Sequence, residues 1–368
     1  MAAKALVDAG RLTSRERVRR ALRHQEPDRV PLDYSANAGI DRRLKEHFGL
    51  APTDAEGLLQ ALGVDFRGVG AAYKGQRLHP ELPGRNVDPI WGARSKWIEH
   101  RSGGYWDFCD FPLADADGET IANWPLPSPD DFDYETVRTG CRQYADRFIY
   151  TGGPGLVDIM NSYGFVRGVE QQMLDLAEEY EPALRLIDRR LALLYEVTRR
   201  TLQAAEGRID LVWIGEDLGS QRGPLISPGM FRQLLRPRHQ HFVDLARQYA
   251  TPVMIHSCGS SSWAFDDFVE MGITAVDTLQ PEAVNMAPSY LKSRFGDRLM
   301  FHGCISTAGP VAFGTPEQTA EMVRQTLVTM MPGGGYCCSP THLLQDNSPL
   351  ANVLALYETA HRFGVYQC

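Results

Sequence analysis

A short apolar segment in the second half of the chain reads Pro252-Val253-Met254-Ile255-His256-Ser257-Cys258-Gly259-Ser260. Its apolar residues predict a buried strand, and the glycine and serine that follow predict a turn at the strand's carboxyl end. In an extended segment residues i and i+2 point to the same side, so the imidazole of His256 and the thiolate of Cys258 can converge on one metal ion. The same pattern is also compatible with a core histidine beside a buried cysteine.

Strand-like segments of this kind recur along the chain, and helical stretches separate most of them. Eight are predicted, at residues 28–34, 64–70, 148–152, 209–215, 252–258, 273–277, 298–304 and 333–338. Eight is the number that a closed TIM (β/α)8 barrel requires, so we predict one α/β barrel domain over residues 1–368. A doubly wound open sheet is the structural alternative, but no glycine-rich phosphate fingerprint follows an early strand.

Two segments fall outside the regular alternation. Residues 1–27 are predicted to form a helical extension before the first strand, with a capping box at Thr13 and Glu16. Residues 73–144, after the second strand, are rich in Gly, Pro, Trp and Asp and are predicted to be an insertion with a small antiparallel hairpin around residues 91–100. Its aromatic residues either wall a pocket or form a local core. They include Trp91, Trp97, Tyr105 and Trp106.

Composition restricts the class of protein. The chain has 43% hydrophobic and 23% charged residues, as expected for a globular domain with a full core. A net charge of -8 argues against a nucleic-acid partner. No apolar run suits a signal peptide or a membrane span, so we expect a cytoplasmic protein without a membrane partner. The seven cysteines are scattered, which favours reduced thiols or metal ligands over a disulfide framework.

Residues with reactive side chains concentrate just after the predicted strands. In a barrel the loops that follow the strands form one face, where active sites lie. Taken singly, each of these residues is more often structural or solvated, but together they predict a site at the barrel mouth. The set comprises Glu216, Asp217, Arg222, His256, Cys258, His302, Cys304, Ser306, Cys338, His342 and Gln345.

Several motifs give the chain a resemblance that covers nearly its whole length. They lie at residues 13–17, 26–31, 216–224, 256–260, 333–345 and 349–357. By these motifs the chain is similar to the uroporphyrinogen decarboxylase (URO-D) superfamily, in the branch related to cobalamin-dependent methyltransferases. The resemblance implies a TIM barrel with its site at the carboxyl-terminal mouth. True decarboxylases carry an arginine-rich segment after the first strand, whereas residues 34–39 here read Tyr-Ser-Ala-Asn-Ala-Gly, which disfavours porphyrin decarboxylation.

The methyltransferase relatives bind zinc through a His-x-Cys pair and a cysteine after the last strand. His256 and Cys258 match the first two positions, and the alignment of the final motif places His342 at the third, with Cys338 as the fallback. The resemblance therefore implies a Zn²⁺ site of His256, Cys258 and His342. No Asp-x-His-x-x-Gly corrinoid-binding segment occurs in the sequence, so a corrinoid is expected either free or on a partner corrinoid protein.

The leading hypothesis is a zinc-dependent methyltransferase or demethylase that moves a methyl group between a small-molecule donor or acceptor and a corrinoid. Of the adjacent acids, Asp217 is favoured as proton donor, metal neighbour or substrate anchor; the alternative is that Glu216 and Asp217 cap a helix or bind Arg222. Two imidazoles and one thiolate would give the zinc site a net charge of about +1, which favours demethylation.

Two other functions are compatible with the same barrel mouth. One is a corrinoid-independent lyase or decarboxylase in which Arg222 clamps a small carboxylate. The other is a non-catalytic metal- or corrinoid-binding protein that uses the Cys337–Cys338 pair. Neighbouring residues of a strand face opposite sides, so this pair is also compatible with one thiol in the barrel core and one in the helix-facing layer.

Overall fold

The computed structural model of the protein describes residues 12–101 and 103–367. Its strands are β1 (Phe66–Gly68), β2 (Ala72–Tyr73), β3 (Asn86–Val87), β4 (Arg94–His100), β5 (Gly103–Phe108), β6 (Phe132–Asp133), β7 (Phe148–Gly152), β8 (Leu211–Gly215), β9 (Val253–Ser257), β10 (Ala275–Thr278), β11 (Met300–Ile305) and β12 (Tyr336–Pro340).

The helices surround these strands and connect them. They are α1 (Ser14–Leu22), α2 (Ala38–Phe48), α3 (Ala55–Leu62), α4 (Gly118–Ala122), α5 (Glu135–Gln143), α6 (Ile159–Arg167), α7 (Val169–Ala177), α8 (Glu181–Ala205), α9 (Pro228–Met230), α10 (Arg236–Gln248), α11 (Phe265–Met271), α12 (Pro288–Phe295), α13 (Pro310–Phe313), α14 (Pro316–Met330) and α15 (Leu350–Phe363). No helix in the described ranges combines the length and the apolarity needed to cross a bilayer.

Seven strands form one parallel sheet in the order β1-β7-β8-β9-β10-β11-β12. An extended segment closes the gap between its two edges. Cys338 of β12 donates its backbone N–H to Pro31 O (2.9 Å), and Asp65, just before β1, donates to Leu32 O (2.9 Å). The α/β barrel predicted from the sequence is confirmed. The predicted first strand is reduced to isolated bridges, partly because Pro31 has no N–H to donate to a ladder.

Two hydrophobic layers hold the barrel together. The larger one lies between the sheet and the helices. The smaller one fills the barrel interior with side chains from alternate strand positions: Phe66, Phe148, Leu211, Trp213, Met254, Ala275, Met300 and Cys337. Because strand side chains alternate, the residues two positions after Met254, Ala275 and Met300 also face inward, nearer the carboxyl-terminal mouth.

Helix α1 covers the opposite, amino-terminal end of the barrel. Its residues Val18 and Ala21 join the interior cluster. Buried Asp65 accepts hydrogen bonds from Ser14 (2.7 Å), Arg17 (2.8 Å) and Arg29 (2.8 Å), which ties the helix to the strands. The structure thus places a helix within the segment predicted as an amino-terminal extension; residues 1–11 lie outside the described ranges.

The segment between β1 and β7 adds two small antiparallel sheets. The larger has the strand order β3-β4-β5, and the register of its hairpin pairs Trp97 with Trp106. Phe108 of β5 stacks on Phe165 of α6 with ring centroids 3.7 Å apart. This contact holds the hairpin against the barrel's helical layer.

Candidate metal and substrate site

The carboxyl ends of β8 and β9 bring the central side chains together. These strands are parallel, and Gly215 lies opposite His256 in their register. Glu216 donates its backbone N–H to His256 O (2.9 Å), so the two residues that follow β8 lie beside the end of β9. Sequence positions about forty residues apart therefore meet at one point of the mouth.

Three potential metal ligands lie within 4.8 Å of one another: Asp217, His256 and Cys258. The Cys258 Sγ is 3.4 Å from His256 Nε2, and Asp217 Oδ1 is 3.6 Å from the same nitrogen. Asp217 Oδ1 also accepts the Cys258 backbone N–H at 2.8 Å. We refer to these three residues as the donor triad. It is the one group of three or more such side chains found among the described residues.

A chain of buried hydrogen bonds fixes the orientation of His256. Its Nδ1 is 2.5 Å from Asp277 Oδ2, which leaves Nε2 facing Cys258. The other Asp277 oxygen is 2.7 Å from His302 Nδ1, and His302 Nε2 is 3.0 Å from Asp33 Oδ2. A carboxylate behind a ligating histidine is the usual partner that sets its tautomer and ring orientation.

The charged groups of this hydrogen-bond network are concentrated around Asp277. Burial disfavours the charged ring of His256, but the hydrogen bond and negative charge of Asp277 outweigh it and raise the pKa of His256 well above its usual range. Burial alone would raise the pKa of Asp277, but its two histidine partners outweigh burial and lower the pKa of that carboxyl. Burial raises the pKa of Cys258, against the influence of His256.

Glu216 and Asp217 have different environments. Glu216 is fully buried and accepts the backbone N–H groups of Ile159 (2.9 Å) and Met160 (3.0 Å) in the first turn of α6. Burial, and then the nearby charge of Asp158, raise the pKa of Glu216 well above its usual range. Asp217 lies nearer the surface, where Asn161 donates to its Oδ2 at 2.9 Å. The structure therefore gives Glu216 a helix-capping position and Asp217 a position in the triad.

The other metal ligands and the carboxylate clamp suggested by the sequence lie apart from the triad. His342 is exposed in the loop after β12, where Gln345 Nε2 lies 3.2 Å from its Nδ1. Cys338 is buried in the helix-facing layer, and burial raises the pKa of its thiol to about 12. Cys337 faces the barrel interior instead. Arg222 is exposed in the loop after β8.

Of the residues that support the triad, the sequence identified His302 as a mouth residue but not Asp277, Asp33 or Asn161. Asp277 follows Ala275 and His302 follows Met300 by two positions, and this inward alternation is the signal that marks both as mouth residues. Asp33 and Asn161 carried no such signal, because their contacts depend on how the closing segment and α6 pack against the barrel.

A cavity of about 540 Å³ lies next to this site, between the hairpin and helices α6 and α8. Its walls are mostly aromatic and aliphatic, and its polar groups include Asp88, Asp158 and Arg190. The first turn of α6 links it to the triad, since Asp158 and Ile159 line the cavity while Asn161 contacts Asp217. Trp91 and Trp106 line it as well.

Comparison with known proteins gives one family match and several similar structures. Residues 165–363, more than half of the chain, match the family model described as uroporphyrinogen decarboxylase (URO-D). A methyltransferase from Methanosarcina mazei has a similar structure, with a TM-score of 0.63 and 17% identity over 96% of this chain and 99% of that one. At this identity the match shows a shared fold.

A more distant similarity is to a B12-independent methionine synthase from Shewanella sp. W3-18-1 in complex with selenomethionine. Its TM-score is 0.41 at 11% identity, over 83% of this chain and 84% of the other, which is too remote to carry an argument. No curated protein sequence matches the chain.

Proposed function

Because the chain belongs to the uroporphyrinogen decarboxylase family, as its sequence motifs predicted, we propose that it is a zinc-dependent enzyme of the methyltransferase branch. It moves a methyl group between a small substrate and a corrinoid that is free or carried by a partner protein. The observation that carries the proposal is the donor triad at the barrel mouth.

The chemistry of the triad fits zinc. Imidazole nitrogen, thiolate sulfur and carboxylate oxygen are all zinc donors, and three protein donors leave a coordination position for substrate. His256 presents Nε2 because its Nδ1 is held by Asp277. Asp217 is held in turn by Asn161 and by the backbone of Cys258. The arrangement is preorganised by groups that need not move when an ion binds.

A bound zinc ion would supply one of two effects: holding a substrate thiol as its thiolate, or polarising an ether or amine leaving group. With Asp217 rather than His342 as the third donor, the site carries a net charge of about zero instead of about +1. This removes the electrostatic preference for demethylation that the sequence suggested. The proposal therefore covers methyl transfer in either direction.

The similar fold of the Methanosarcina mazei methyltransferase supports methyl transfer as the reaction class. The carboxylate clamp of the lyase or decarboxylase alternative is not supported, because Arg222 is exposed and its described hydrogen bond runs from its backbone N–H to Ser220 Oγ (3.2 Å). A shared metal site at the Cys337–Cys338 pair is also unsupported, because the two thiols face different layers.

The test combines metal content with methyl transfer. Protein purified without chelator should contain close to one zinc per chain, and Cys258→Ser should lose both the zinc and any demethylation of methylcobalamin by a panel of thiols. Cys109→Ser, in the hairpin region away from the triad, is the matched control and should retain both. Wild-type protein without stoichiometric zinc, or a Cys258→Ser variant that keeps it, would remove the basis of the proposal.

A further inference from the structure

The cavity beside the triad has the character of a binding site for a flat ligand. Its volume of about 540 Å³ lies within the range of small-molecule sites. Three tryptophans line it, Trp91, Trp106 and Trp124. Trp124 donates its indole N–H to the Trp91 backbone carbonyl (3.0 Å), which fixes the position of the Trp124 ring. Rigid aromatic walls of this kind favour planar ligands.

One cation lines the same cavity. The Arg190 guanidinium lies over the Trp91 ring, 5.1 Å from its centroid. It donates to two backbone carbonyls, those of Asp158 (3.3 Å) and Gly155 (3.2 Å), which leaves part of its set of N–H donors available. Within the described ranges, none of the ion pairs closer than 4 Å involves Arg190.

The acidic residues of the cavity have other partners. Asp88 accepts the backbone N–H groups of Ile90 (2.8 Å) and Trp91 (2.7 Å), and Asp158 caps α6 through Asn161 N (3.1 Å). Asp158 and Glu216 act on Arg190 electrostatically, but burial outweighs them and lowers the pKa of Arg190 to about 10. Arg190 therefore remains charged at neutral pH while only partly compensated. A bound carboxylate would complete its hydrogen bonding.

We propose that this cavity binds an aromatic carboxylate, with the ring between the tryptophans and the carboxylate on Arg190. The inference rests on the proposed function in taking this ligand as the small substrate of methyl transfer, because the first turn of α6 joins the cavity to Asp217. Arg190 then determines specificity for an anion, and the hairpin supplies part of the aromatic wall.

Calorimetric titration of the full-length protein tests the proposal without requiring turnover. The probe is 2-naphthoate, and the comparison ligands are 2-naphthamide, octanoate and phenyltrimethylammonium. We expect 2-naphthoate to bind at least about tenfold more tightly than each comparison ligand, since each lacks the charge, the ring or the correct sign of charge. Equal binding of 2-naphthamide, or tighter binding of phenyltrimethylammonium, would overturn the assignment.

Variants locate the binding. Arg190→Met should weaken 2-naphthoate binding about 10- to 100-fold, and Arg185→Gln, an exposed position on the same helix, should leave it unchanged. If Arg190→Met does not fold, Trp106→Ala provides the test, because Trp106 is half exposed on the hairpin and its replacement leaves the core intact. Trp106→Ala should weaken 2-naphthoate binding. Tyr105→Ala, at the neighbouring position outside the cavity lining, should leave binding unchanged.

Unchanged binding in the folded cavity variants would contradict the proposal. Because none of these titrations needs zinc or a corrinoid, such a result would leave the zinc proposal standing. Loss of zinc from Cys258→Ser would likewise not depend on the cavity.

Discussion

His256 depends on a residue that is not itself expected to touch the metal. Asp277 accepts from His256 and from His302 and is buried between them. We predict that Asp277→Asn lowers zinc affinity about 10- to 100-fold, because it removes the charge that orients the imidazole. Competition for zinc with a zinc-binding chromophore measures the affinity of each variant. Asp266→Asn is the control, because Asp266 is half-exposed and pairs with Arg298; equal affinities of the two variants would contradict the role of Asp277.

The sequence suggested His342 as the third zinc donor, whereas the structure places Asp217 beside His256 and Cys258. We predict that Asp217→Asn loses most of its zinc affinity, whereas His342→Ala binds zinc like the parent, because His342 is exposed and contacts Gln345 rather than the triad. Equilibrium dialysis of both variants measures the difference. The reverse order would assign the third position to His342, and loss in a Cys338→Ala variant alone would assign it to the fallback thiol.

The triad was only partly readable from the sequence. His256 and Cys258 belong to one strand, so their spacing alone predicts that their side chains converge. Asp217 was singled out as an acid but not as a third donor, because its place beside Cys258 depends on the register of β8 against β9. The Asp277–His302–Asp33 chain spans three separate segments, and no local pattern predicts such pairing.

At the scale of elements, the strands of the barrel were predictable because each is an apolar run followed by a turn. The ends of the strands were less predictable: a strand was predicted at residues 298–304, whereas β11 begins at Met300 and ends at Ile305. The hairpin prediction at 91–100 found one strand, β4, whereas its partner β5 lies beyond the predicted limits. Strand ends are set by tertiary contacts that residue patterns do not encode.

Helix α1 provides a prediction about stability. Arg17 is buried and pairs with Asp28 (2.7 Å) and Asp65 (2.8 Å) at the amino-terminal end of the barrel. Arg17→Met should lower the free energy of unfolding by about 3–5 kcal/mol, because it leaves buried Asp65 with one fewer cation. Urea unfolding measures this. The exposed Arg20→Met on the same helix should change stability little; a similar loss in both variants would contradict the explanation.

For the whole molecule, buried ion pairs predict a loss of stability in acid. Burial raises the pKa of Asp175, but hydrogen bonds from Arg167, Tyr163 and Gln171 outweigh it and lower that pKa below its usual value of 3.8. The ionised Asp175 carboxyl therefore stabilises the fold fully at a pH above its pKa in the unfolded chain. This stabilisation is lost as the pH falls through its lower pKa in the folded protein. We expect the melting temperature to fall below about pH 4.

Asp175→Asn tests this assignment. It should melt at a lower temperature than the parent at pH 7, and the difference should shrink as the pH falls below the unfolded pKa of the carboxyl, because the parent then loses the same charge. Melting curves followed by circular dichroism at several pH values measure the difference. A constant difference between parent and variant across this range would contradict the role of the Asp175 charge.

The proposed function depends on a zinc ion that Asp217, His256 and Cys258 hold together at the barrel mouth. An anomalous difference map recorded at the zinc absorption edge, from crystals of protein purified without chelator, tests it most directly. We expect one peak in bonding contact with His256 Nε2, Cys258 Sγ and an Asp217 carboxylate oxygen. No peak at this position, or a peak bound by His342 or Cys338 in place of Asp217, would contradict it.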